Sequence, residues 1–220
     1  LALAPIGVFE LGVVLGMTAG AAAFGALVPY VLVVTAIGTI IMLSAYPVAM
    51  FGARFNLFDF ARAAIPAQSV AISTQSSLAS LPAMVQGAKQ LGVGARSTDI
   101  VLPMAVAIFR ATSPAMNLAV AIYVAHWMGI ELGPEQIVIG VAVASITTLG
   151  SVSLPGSISF IAAIAPICIA MGIPIEPLAV LVAIETFPDI MRTLGNVTMD
   201  IAVTGTIARA EGDLEKGEAA

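Results

Sequence analysis

The sequence predicts an all-α membrane protein in which transmembrane helices are joined by two oppositely oriented re-entrant helical hairpins, arranged as an inverted repeat. Three observations lead there. First, 60% of the 220 residues are hydrophobic and 10% are charged, whereas a soluble domain carries about 25% charged residues; the mean hydropathy is +1.07. Second, several apolar stretches approach or exceed the roughly 20 residues that a bilayer core requires of a spanning helix. Third, two other apolar segments are interrupted at their middles by closely similar small polar runs ending in proline.

The elements follow in order. Residues 1–26 read as a transmembrane helix cut short at its start. The chain opens Leu1-Ala2-Leu3-Ala4-Pro5, without an initiator methionine or the basic start of a leader, and further elements are expected upstream. Residues 27–51 form a second apolar span. Residues 52–99 contain the first interruption, Ser76-Ser77-Leu78-Ala79-Ser80-Leu81-Pro82, and read as a cytoplasmic-side hairpin. Residues 100–129 read as a transmembrane helix with a broken centre. Residues 130–173 contain the second interruption, Leu149-Gly150-Ser151-Val152-Ser153-Leu154-Pro155, and read as an external-side hairpin. Residues 174–209 form the last transmembrane helix, and the polar 210–220 a cytoplasmic tail. Broken backbone persists at membrane depth only where it lines a cavity or is buried in protein, and paired interruptions in two halves point to an inverted-repeat transporter.

Charge placement supports the hairpins. Arg54, Arg62, Lys89 and Arg96 flank the first interrupted segment, and Arg209 and Lys216 follow the last helix; the loops with Glu131, Glu135 and Glu176 hold no Lys or Arg. Simple spans would place basic loops on opposite sides of the membrane, against the positive-inside rule. Re-entrant hairpins put them all on the cytoplasmic side.

Other classes fall away. A net charge of −5 without a basic cluster excludes a nucleic-acid partner. The one cysteine, Cys168, allows neither an intramolecular disulfide nor metal-ligand spacing. The single histidine, His126, sits beside Trp127 at a span end, where amphipathic rings favour the interface, and no serine lies in a nucleophile motif; an enzyme is not expected. Selectivity-filter repeats of a channel are absent as well.

Ionisable residues at membrane depth are costly and are functional candidates. They are Arg110, Glu185, Asp189, Arg192 and Asp200. Asp189, Arg192, Asn196 and Asp200, spaced 3, 4 and 4, share one helical face. A guanidinium grips a carboxylate through two parallel hydrogen bonds, and a nearby carboxylate accepts from an ammonium group, so Arg192 with Asp189 suits an acidic amino acid. Ser76, Ser77 and the stretch Ser151 to Gly156 offer hydroxyls and free N–H groups to a second carboxylate.

These residues resemble the dicarboxylate/amino acid:cation symporter family, which includes the glutamate and aspartate transporters. The likeness runs from Ala4-Pro5-Ile6-Gly7-Val8-Phe9 through both hairpins, ending Leu81-Pro82 and Leu154-Pro155-Gly156, to Asp189-x-x-Arg192-Thr193-x-x-Asn196-Val197-x-x-Asp200. The resemblance implies that Asp189 receives the substrate amino group, that Arg192 takes its side-chain carboxylate, and that Thr193 and Asn196 hydrogen-bond it. It implies Ser76 and Ser77 at the first hairpin tip, and an external gate made by Ser151, Val152, Ser153, Leu154, Pro155 and Gly156. It implies ion sites at Asn196 and Asp200 and near Thr148, Leu149 and Ser151. Where the family has Asn-Met-Asp-Gly-Thr, this chain has Phe109-Arg110-Ala111-Thr112-Ser113. Ser113 is counted among the substrate-binding candidates, and Arg110 is read as a fixed positive charge standing in for an ion beside Asp200, or as a replacement for a first-hairpin arginine that is Gln75 here.

The expected function is secondary active transport of acidic amino acids by a cation-coupled, elevator-type mechanism, with a C4-dicarboxylate symporter or a non-transporting sensor as alternatives. No cofactor is expected, and no metal beyond a coupling ion, either Na+ or H+; a proton would act through Glu185 or Asp200. The expected partners are a small anionic substrate, the lipid bilayer, and sister subunits of a homotrimer held by an upstream scaffold. The expected location is the cell membrane, multi-pass, the inner membrane in a bacterium.

Overall fold

Alanine is the best helix former, and the stretch 19–26 holds no proline or polar turn residue. In the computed structural model, which describes residues 4–150 and 157–214, helix α1 therefore runs unbroken from Ala4 to Pro47. No break in the helix marks the boundary expected near residue 26. The helix loosens into a π-helical turn over Val48–Ala53 and stops at Arg54, whose φ of 61° is left-handed.

Asn56 starts α2 (Leu57–Thr74), its Oδ1 accepting from the Phe58 N–H at 2.9 Å. Gln75, at φ 51°, turns the chain, and Ser76 caps α3 (Ser77–Gln90) by accepting from the Ala79 N–H at 3.2 Å. The two helices form a tight hairpin. At Gly87 the α3 backbone meets the Ala63 carbonyl so closely that a β-carbon would collide with it.

The next helix is irregular: π-helical Ser97–Val101, a short α4 (Leu102–Met104) and π-helical Ala105–Phe109 lead to Arg110 at φ 30°. Helical structure resumes as α5 (Ser113–Trp127). Then come α6 (Pro134–Gly150) and α7 (Ser157–Met171), which pack on each other. The gate candidates Ser151, Val152, Ser153, Leu154, Pro155 and Gly156 lie outside the described residues. A short α8 (Leu178–Leu181) and a 3₁₀ turn over Val182–Ile184 precede α9 (Thr186–Ala210). Residues 174–209 are thus not one straight helix, because the chain tightens between Pro177 and Thr186.

No strand occurs among the described residues apart from one antiparallel bridge between Val93 and Leu214. That bridge closes a clasp. Gly94 N–H donates to the Asp213 carbonyl at 2.7 Å, and the Ser97 N–H donates to Asp213 Oδ2 at 2.7 Å.

Two apolar cores result. Tyr30 and Val34 of α1 pack with Val120 and Val124 of α5, Ile164 and Ile167 of α7 and Leu181. Ala45, further along α1, and Ala49 of the π-helical turn pack with Phe60, Met84 and the α9 residues Val197 and Ile201. Among the described residues, Leu27–Ala53 and Ser97–Trp127 are long and apolar enough to cross a membrane. At about 1.5 Å per residue, the 25-residue α9 is long enough as well, although its polar face lowers its hydropathy.

Candidate functional site

Helix α9 lies between the two cores and is buried without interruption from Arg192 to Ala202. Small residues permit this. Gly195 faces Thr112 and the Gly38 carbonyl of α1, and Gly205 faces Phe55. The polar face of α9 therefore points into protein.

Arg192, 7% exposed, is the centre of a cluster of ionisable side chains. Its Nη1 donates to Asp189 Oδ1 at 2.8 Å, one helical turn back, and its Nη2 stands 2.6 Å from Glu185 Oε1. The Tyr30 hydroxyl, brought in by α1, donates to the other oxygen of Glu185. Neither Nε nor Nη2 of Arg192 makes a hydrogen bond among the described residues, because Glu185 approaches Nη2 off the N–H direction. Two buried donors on one guanidinium edge are thus left open, a costly arrangement unless a ligand uses them. Asp189 keeps its side chain 23% exposed.

Below this cluster, Asn196 Oδ1 accepts from the Thr112 N–H at 2.9 Å and lies 2.8 Å from the Thr112 hydroxyl, which also stands 2.9 Å from the Arg192 carbonyl. The chain break at Arg110 to Thr112 is thereby fastened to α9. Thr193 spends its hydroxyl on the Asp189 carbonyl at 2.9 Å. One turn further, Asp200 is 1% exposed, and neither carboxylate oxygen has a hydrogen-bond partner among the described residues. Arg110 lies in electrostatic range of Asp200, Asp189 and Arg192.

Ser76 caps α3 and Ser77 is buried beside it. Ser113 is buried at the start of α5, and its hydroxyl has no hydrogen-bond partner among the described residues. Thr148 is buried and returns its hydroxyl to the Ala144 carbonyl at 2.7 Å, whereas the Leu149 side chain is exposed. Tyr30 and Thr112 were not among the expected site residues, and Glu185 was read only as an ionisable group and a proton route. The intramembrane charge of Glu185 was the one available signal.

A helical membrane protein with a cluster of ionisable residues buried in its core belongs among transport proteins by class, since such residues mark substrate or ion paths. The chain belongs to the sodium:dicarboxylate symporter family, whose model matches residues 1–210. It is 30% identical to human (Homo sapiens) excitatory amino acid transporter 2 over 155 residues, 70% of this chain and 27% of that protein. It is 28% identical to C4-dicarboxylate transport protein 2 of Ralstonia nicotianae over 190 residues, 86% of this chain and 40% of the relative. It is 27% identical to the proton/glutamate-aspartate symporter of Escherichia coli over 219 residues, 98% of this chain and 49% of the relative. The chain thus spans about a quarter to a half of the length of these relatives, all of them transporters rather than enzymes.

Proposed function

We propose that the protein carries acidic amino acids of the glutamate and aspartate type across the cell membrane by cation-coupled secondary transport. The observation that carries this reading is the buried Arg192 guanidinium, whose Nε and Nη2 have no hydrogen-bond partner among the described residues although Glu185 stands beside Nη2, next to the partly exposed Asp189: a fork for a side-chain carboxylate next to an acceptor for an ammonium group. In this reading Thr193, Asn196 and the Ser76, Ser77 and Ser113 hydroxyls complete the substrate site. Residues 151–156 act as the external gate. The α2/α3 and α6/α7 pairs are re-entrant hairpins of opposite orientation, related as an inverted repeat. They move together as an elevator against a trimeric scaffold supplied by upstream residues.

Asp200, buried with two bare oxygens, supports a cation or a proton as the coupling species. Arg110 within its electrostatic range supports a partly built-in positive charge there, which reduces the need for Na+. Asn196 Oδ1 already serves Thr112, which leaves it little capacity for a hard cation that needs several oxygens. A C4-dicarboxylate is the second reading, favoured by the relatives that are C4-dicarboxylate transport proteins; such a substrate has no amino group for Asp189.

The test is uptake of labelled L-aspartate, L-glutamate and succinate by the full-length protein in liposomes under imposed Na+, proton or no gradient. Saturable aspartate or glutamate uptake is expected. Succinate uptake alone would replace the reading with the dicarboxylate one, and no uptake of any of the three would overturn both.

A further inference from the structure

We propose that Glu185 is an internal competitor for the Arg192 guanidinium, a specificity-determining carboxylate that an incoming substrate carboxylate displaces, with Tyr30 retaining it once displaced. The inference rests on the reading of Arg192 as a substrate contact. A carboxylate held by two parallel hydrogen bonds uses either the Nη1/Nη2 or the Nε/Nη2 edge of a guanidinium, so Nη2 is common to both. Glu185 Oε1 stands 2.6 Å from that nitrogen. It neutralises charge there at 2.6 Å but in a poor hydrogen-bonding direction, so that among the described residues neither Nη2 nor Nε has a well-aligned hydrogen-bond partner. A substrate carboxylate offers the same charge together with the two missing hydrogen bonds, and the exchange favours it.

Displacement needs somewhere for Glu185 to go. The residue is 6% exposed and cannot turn to water. Its other oxygen already accepts from the fully buried Tyr30 hydroxyl, whose ring is held edge-on by Tyr123 at 5.4 Å between centroids. Tyr30 therefore keeps a donor on the carboxylate when Arg192 leaves it. With Asp189 on Nη1, a third carboxylate at the same guanidinium meets like-charge repulsion. Glu185 consequently weakens binding of a solute with an anionic side chain more than that of a neutral one, and sets how strongly the site distinguishes the two.

Equilibrium binding of labelled L-aspartate and L-serine to the purified full-length protein tests this in the wild type, Glu185→Gln and Tyr30→Phe. Glu185→Gln is expected to bind aspartate roughly tenfold more tightly while serine changes by no more than about twofold. Tyr30→Phe is expected to weaken aspartate binding about threefold, because Glu185 then has only Arg192. Opposite signs are the signature, since a packing role would weaken both solutes in both variants. Weaker aspartate binding in Glu185→Gln, an equal change for both solutes, or the same sign in the two variants overturns the proposal; if Glu185→Gln does not fold, the sign in Tyr30→Phe decides. A wild type that binds no acidic solute would sink the transport reading. The competitor proposal would then stand only if Glu185→Gln gained aspartate binding.

Discussion

Gly195 sits where α1, α9 and the chain break at Thr112 converge, one residue from Asn196 and three from Arg192. A β-carbon there would overlap the Thr112 methyl and stand 3.5 Å from the Gly38 carbonyl and 3.6 Å from Met42 Cβ. Carbon atoms settle at about 3.5–4.0 Å, so in Gly195→Ala the Thr112 methyl must retreat by an ångström or more. It is not free to do so. The Thr112 hydroxyl lies 2.9 Å from the Arg192 carbonyl and 2.8 Å from Asn196 Oδ1, and rotating it abandons both. Overpacking of this kind costs about 1–3 kcal/mol, and a lost buried hydrogen bond about 1 more. Replacing glycine by alanine in a helix returns about 1 kcal/mol. The net expectation is a destabilisation of about 1–3 kcal/mol, read as a lower thermal midpoint in detergent, together with weaker binding of L-aspartate because Asn196 loses its anchor. Thr112→Ser in the same background removes the offending methyl and keeps the hydroxyl, and should restore most of both. An unchanged midpoint in Gly195→Ala, or an equal loss in the Thr112→Ser background, would refute the reasoning.

Three further expectations follow from the polar groups. Asp200→Asn should raise the thermal midpoint, by about 1–3 kcal/mol of lost desolvation penalty. Arg110→Ala should lower it and Asp200→Asn should repair that loss, all followed by thermal unfolding in the absence of alkali cations; a midpoint lowered by Asp200→Asn would mean that the carboxylate is well satisfied after all. Hydrogen bonding from Ser97 holds the Asp213 carboxyl below its usual range. A carboxyl lowered on folding stabilises the fold above its unfolded value of about 3.9 and ceases to do so as pH falls through the lower folded value. Asp213→Ala should therefore lower the midpoint by the same amount from pH 5 to pH 8, with the difference from wild type shrinking as the pH falls below the usual carboxylate range; a difference that grows on acidification would exclude the clasp as an ionised contact. Ser76→Ala should cost about 1 kcal/mol as a lost helix cap, measured by the same unfolding transition, whereas Gln75→Gly should be neutral or stabilising because its φ of 51° suits glycine.

What the sequence disclosed and what it hid divide by range. Hydropathy marked the apolar spans, the serine run at 76–80 marked the turn that separates α2 from α3, and the 3, 4, 4 spacing placed Asp189, Arg192, Asn196 and Asp200 on one face. Each is a signal within one helix. The partners of that face come from elsewhere in the chain: Tyr30 reaches Glu185 across 155 positions, and Thr112 reaches Asn196 across 84. Periodicity carries no information about such pairs. The continuity of α1 was hidden for a different reason, since Gly20, Gly25 and Pro29 read as breaks, yet all three lie within the continuous helix.

Arg110 shows how sequence and geometry combine. Its φ of 30° belongs to a region that residues with a β-carbon seldom enter, so the backbone at this break would be better served by glycine. Such strain persists only where the surroundings over-determine it. The arginine side chain is the feature glycine would lack there, and the charges in its range are Asp189, Arg192 and Asp200. Two of these are carboxylates, one of them with no hydrogen bond to either oxygen among the described residues. Arg110→Gly separates the two demands. It should relax the backbone while leaving Asp200 short of positive charge, so that the midpoint falls in the absence of added cation and recovers on titration with NaCl more than with choline chloride. Recovery that is equal in both salts, or no fall at all, would mean that position 110 contributes no charge to Asp200.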